Sequence, residues 1–131
     1  MTNPARPFDG SVPSLSTTVI DAPDANAIAA FYRELLQWEV VNDEPGWVMI
    51  RPPDGGTGLS FQSEPLHARP VWPSTTDRPQ MQMHLDVYVP DLMAGVERAI
   101  ALGAALAEWQ PQEHVRVMLD PAGHPFCLFD R

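Results

Sequence analysis

His84, Asp86 and Tyr88 alternate with apolar residues in Met83-His84-Leu85-Asp86-Val87-Tyr88-Val89. Alternation of this kind belongs to a strand and sets the three polar side chains on one face. An imidazole beside a carboxylate is suited to acid–base work. Asp86 would tune the proton affinity of His84, which would then serve as general base or acid. Tyr88 is placed to orient a ligand oxygen. A histidine that is merely hydrogen-bonded in a wall fits the same pattern, so binding and catalysis both stay open. Cys127 is the single cysteine. It excludes an internal disulfide framework and is either a soft donor or a small apolar filler. Arg116 offers a charge for an anionic ligand, or a solvated surface group. His67, His114 and His124 fall in loop-like segments, the first two solvated and the third bonded within a turn.

Charge narrows the function classes. The net charge is −9 over 131 residues, and every basic residue is an arginine. Phosphate binding needs a positive field, so no nucleic-acid partner is expected. The acidity either favours cationic ligands at long range or keeps the protein soluble. No apolar stretch approaches the roughly 20 residues that span a bilayer, and the first residues lack a signal peptide's apolar run. The expectation is a cytoplasmic protein with no membrane partner.

The elements that must hold these side chains follow from periodicity. Residues 16–20 are rich in β-branched side chains and read as a strand. Asp24 is placed to cap a helix whose stripe is Ile28, Phe31, Tyr32, Leu35 and Leu36. Residues 38–41, 47–50 and 59–62 read as three strands, separated by Glu44-Pro45-Gly46 and Asp54-Gly55-Gly56. The order then recurs. Residues 83–89 form a strand, Asp91 a cap, Leu92, Val96, Ala99 and Ile100 a helical stripe, and Gly103 a C-terminal stop. Residues 105–109, 115–119 and 125–129 are the last three strands, the final two joined at Asp120-Pro121-Ala122-Gly123. Thr17 and His84, Asp24 and Asp91, and Ser60 and Cys127 are each 67 positions apart. A recurrence of that length means a duplicated βαβββ unit. Residues 1–13 read as an N-terminal tail and 14–131 as one domain, with module one at 14–62, a polar, proline-rich linker at 63–80 and module two at 81–131.

The strings TTVIDAPDANAIAAFYRELLQW and HLDVYVPDLMAGVERAIALGA, with the closing DPAGHPFCLF, resemble the vicinal oxygen chelate superfamily. That group holds glyoxalase I, extradiol dioxygenases, fosfomycin-resistance enzymes and bleomycin-binding proteins. The likeness is strongest to a glyoxalase-like subgroup of unassigned activity. It implies an α+β fold in which two βαβββ modules form a curled mixed sheet around a cup. It also implies four metal-ligand positions, which fall on Thr17, Ser60, His84 and Cys127, and only His84 carries the usual residue. Strand alternation puts all four on the face away from the helices, with Gln62 beside Ser60. Trp72, in the linker, is expected to border the cup, where aromatic walls suit planar or apolar ligands. The usual glycine after the first helix is Gln37, at a position that wants a left-handed backbone.

The reading is a small-molecule-binding protein that needs no metal or other cofactor and that sequesters a metabolite or antibiotic. Thr17, Ser60, Gln62, Trp72, Tyr88 and Cys127 would contact the ligand, and His84 and Asp86 would supply any catalysis. The alternative is a metal-dependent lyase, isomerase or dioxygenase with His84 and Cys127 as ligands. A homodimer is expected, the modules pairing within a chain or between chains.

Overall fold

A computed structural model describes residues 10–131. Most of the expected 1–13 tail therefore lies outside the described residues, and its last four residues are exposed. The first strand, β1, covers Thr17–Ala22. Asp24 then caps helix α1, Ala25–Leu36, its carboxylate accepting from the amides of Asn26 and Ala27. An oxygen at that point satisfies amides that a helix start leaves unpaired. The helix ends at Gln37, whose φ of 57° is left-handed as expected. Three strands follow: β2 Glu39–Glu44, β3 Trp47–Arg51 and β4 Gly58–Ser63. Module two repeats the series with β5 Leu85–Tyr88, α2 Leu92–Ala101 capped by Asp91, β6 Ala105–Leu106, β7 Val115–Leu119 and β8 Pro125–Phe129.

Each module forms a four-stranded mixed sheet, in the order β1-β4-β3-β2 and β5-β8-β7-β6. The first pair of each sheet is parallel and the rest antiparallel. Among the described residues no ladder joins the two sheets, so the curled surface is built from two separate sheets and is not closed. The duplication extends to register. Val19 faces Ser60 across β1 and β4, and Asp86, 67 positions on from Val19, faces Cys127 across β5 and β8.

Several strand ends shift from the expected spans: β5 is confined to Leu85–Tyr88, short of the expected 83–89, so His84 stands outside its ladder. β2 runs on to Glu44, because the polar Asn42-Asp43-Glu44 run is carried by its ladder with β3 through the Pro45-Gly46 turn. β6 stops at Leu106 and not at Trp109. The Gln110 side chain takes over there: its Oε1 accepts from the Val117 amide at 2.9 Å and its Nε2 donates to the Val117 carbonyl at 2.8 Å. A side-chain amide has the donor and acceptor of a backbone unit, so the strand can leave the sheet with Val117 still paired.

The helix-facing side chains of both modules share one core, with Ile28, Phe31, Tyr32 and Phe61 from module one and Met118, Phe126 and Leu128 from module two. Tyr32 stacks on Phe61 at 5.5 Å and meets Phe126 edge-on at 6.0 Å. Its buried hydroxyl donates to Asp120 Oδ2 at 2.7 Å, and Asp120 Oδ1 accepts from the amides of Ala122 and His124. Burial and the Asp120 carboxylate push that hydroxyl's pKa well above its ordinary value. Arg98 of α2 donates to the carbonyls of Glu34 and Leu35 at the end of α1. A cation there satisfies unpaired carbonyls and opposes the helix dipole.

Candidate functional site

The parallel pairing of β5 with β8 sets Asp86 opposite Cys127 on the face away from the core. His84 stands just before β5, and its Nε2 lies 3.0 Å from Asp86 Oδ1. One donor atom from each of His84, Asp86 and Cys127 falls within 4.8 Å of the others. Burial first, then the charge of Asp86 and a hydrogen bond donated to it, push the Cys127 thiol up to about 11.

These three side chains line a hollow of about 250 Å³ together with Trp72, Trp109, Gln112 and Phe129. The Trp72 ring sits 4.7 Å from the His84 ring and 5.1 Å from that of Trp109, which meets it at 69°. The linker thus supplies one wall, and the segment that leaves β6 early supplies the next. Trp109 is the expected end of β6, which stops at Leu106; the Gln110 strand substitute had no periodic signal, since it lies beside Pro111. Arg116 does not serve the hollow as a cation. Its guanidinium donates to the carbonyls of Gln112, Glu113 and Val115 and holds that loop.

The remaining named residues lie elsewhere. Thr17 Oγ1 and Ser60 Oγ hydrogen-bond each other at 2.8 Å, with Ser60 fully buried. Gln62 donates to Asp21 at 2.6 Å. Tyr88 is exposed and packs edge-on against Phe129 at 5.8 Å. A larger hollow, of about 390 Å³, opens between the free edges of β1 and β5, beside Tyr32, His67 and His124. His84 borders both hollows, but Asp86 and Cys127 line only the smaller one. The smaller one therefore holds the whole His84, Asp86 and Cys127 cluster, while the larger one carries His84 with Asp21, His67 and His124. Of the loop histidines, His67 bonds the Ala122 carbonyl and His114 pairs with Asp130 at 3.2 Å, so neither is merely solvated. His124 bonds locally, at 2.9 Å from the Pro125 carbonyl.

The four metal-ligand positions implied by the resemblance do not form a matching ligand set. Neutral hydroxyls are poor ligands, and the two in module one hydrogen-bond each other. Module two by itself offers three donors of the kinds that hold zinc.

The family profile of a glyoxalase-like domain matches residues 17–129. Several solved structures share the fold. A glyoxalase/bleomycin resistance protein/dioxygenase family enzyme from Burkholderia phytofirmans PsJN is 18% identical, with a TM-score of 0.68 over 90% of this chain and 98% of that one. TnmS3, an antibiotic binding protein from Streptomyces sp. CB03234, is 18% identical, with a TM-score of 0.60 over 93% and 98%. A glyoxalase-related enzyme from Fulvimarina pelagi is 19% identical, with a TM-score of 0.64 over 92% and 89%. No curated protein matches the sequence.

Proposed function

Since the chain belongs to the glyoxalase-like domain family, we propose that it is a small-molecule-binding protein that holds its ligand in the module-two hollow without a metal ion. The observation that carries this reading is the corner of Trp72 and Trp109 facing His84 and Asp86. Apolar ring walls with a few convergent polar groups are what ligand sites use. Independence from metal rests on the Thr17–Ser60 hydrogen bond, since the two module-one positions carry neutral hydroxyls turned to each other. The antibiotic-binding protein with the same fold supports sequestration as the purpose. A thermal-shift screen against antibiotics and planar metabolites tests it. Hits that Trp72→Leu removes support it, and a screen without hits ends it.

A second reading has its own observation, the His84, Asp86 and Cys127 donor cluster. A zinc ion held there with an open position would polarise a substrate oxygen, as in a metal-dependent lyase, isomerase or dioxygenase. Metal analysis of protein purified without chelator separates the two. Stoichiometric zinc, nickel or iron that His84→Ala abolishes favours the second.

The same proposal has the protein working in the cytoplasm as a homodimer. Among the described residues no helix is long and apolar enough to cross a membrane. Exposed Val41 and Leu106 on the outer strands β2 and β6 suit a face covered by a second copy. Light scattering on the eluted protein checks the mass.

A further inference from the structure

Resting on the reading of the module-two hollow as the ligand site, we propose that its ligand is an organic cation, a protonated amine or quaternary ammonium carried on a flat ring system. The hollow has one carboxylate, Asp86, with 63% of its side chain exposed, and no arginine among its lining residues. Arg116, on the same sheet, is bound to the carbonyls of Gln112, Glu113 and Val115, and the His84 imidazole is already turned to Asp86. The walls are aromatic. The two indoles meet edge to face, so they form a corner with ring surface left toward the hollow. Indole faces attract cations through the ring quadrupole, more strongly than other side-chain rings do. The whole chain adds a field of the same sign, with a net charge of −9.

The alternatives fare worse on the same residues. An anion would meet Asp86 and the protein's field with no guanidinium to answer it. His84 and Cys127 already bond Asp86, but 63% of its side chain stays exposed; a neutral ring would strip water from that part and offer nothing in return, and uncompensated desolvation of a charge is costly. A ring that carries its own positive charge does not incur that cost, because the charge replaces the lost water.

Calorimetric titration at pH 8 with three probes of one ring size tests the inference: N-methylquinolinium, 4-methylquinoline and quinoline-4-carboxylate, which are positive, neutral and negative. The expected result is that the cation binds about tenfold or more tighter than the neutral ring, with the anion weakest. Asp86→Asn, a change at an exposed position, should erase the advantage of the cation, and a rise in ionic strength should reduce it. Trp109→Leu should weaken all three. Equal affinities, or a preference for the anion, overturn the inference and leave the hollow standing as a ligand site. A cation preference that survives Asp86→Asn also overturns it. Zinc binding abolished by His84→Ala, with no preference for the organic cation, overturns it in favour of the metal reading. If no probe binds, the inference fails alone where the library screen still gives hits that Trp72→Leu removes, and together with the binding reading where it does not.

Discussion

Module one and module two carry equivalent strands in matching register, yet the faces they turn away from the core differ in kind. In module one, polar groups are closed on each other, Thr17 to Ser60 and Asp21 to Gln62. In module two, the equivalent ladder holds Asp86 opposite Cys127, with His84 alongside and two indoles over them. Asp86 corresponds to Val19, so at this ladder position module two sets a carboxylate where module one sets an apolar side chain. The lesson is that duplicated backbones do not entail duplicated chemistry. A buried hydroxyl bonded to its neighbour has little to offer a ligand, whereas a carboxylate near the surface offers a charge.

The largest expected effect concerns what keeps the two faces in one molecule. Asp120 receives bonds from Tyr32 of module one in the core and from two half-buried amides of module two. Asp120→Ala leaves those donors unpaired and should cost about 3 kcal/mol in urea unfolding. A loss well under 1 kcal/mol would mean that the modules are joined by the aromatic cluster alone.

Next is pH, which only module two should feel at this ladder position. The Cys127 thiol is raised from 9.0 to about 11 in the folded state. Below the unfolded value both states are protonated and the contribution is fully present. Above it the unfolded thiol ionises first, so the contribution is lost as pH rises through about 11. Stability should fall by about 2 kcal/mol across that window. Cys127→Ala should remove this part and leave that of Tyr32, whose hydroxyl is also raised. An unchanged pH profile in the variant would show that Tyr32 accounts for all of it. The thiol should also resist alkylation at neutral pH, since only the thiolate reacts.

Ser60→Ala is the counterpart in module one. It removes one partner of the hydroxyl pair and should cost about 1 kcal/mol in urea unfolding, with ligand affinity in module two unchanged. An affinity change as large as tenfold would break the comparison by making module one part of the site.

The smallest effect compares the helix ends. α2 is followed by Gly103 with φ 119°, and α1 by Gln37 with φ 57°. A side chain in the left-handed region is strained, and glycine relieves that strain at some cost in unfolded-state entropy. Gln37→Gly should stabilise by about 0.5 kcal/mol, read from the denaturation midpoint. Destabilisation instead would show that the Gln37 bond to the Glu34 carbonyl outweighs the strain.

What the chain's order of residues determined by itself is local or periodic. Both helix caps, the ends of β7 and β8 and the core-facing and outer faces of β1, β4, β5 and β8 follow from spacing, because alternation and capping are properties of a few neighbouring residues, while the left-handed Gln37 followed from the family resemblance. The 67-residue recurrence carried the fold from one half to the other. Only the tertiary structure decided that Thr17 and Ser60 bond each other, that the linker brings Trp72 onto His84, and that Gln110 replaces a strand and leaves Trp109 beside Trp72 at the hollow. Each of these joins groups far apart in the chain or in an irregular segment. No period marks such meetings, and they exist only once the core has fixed where each loop must return.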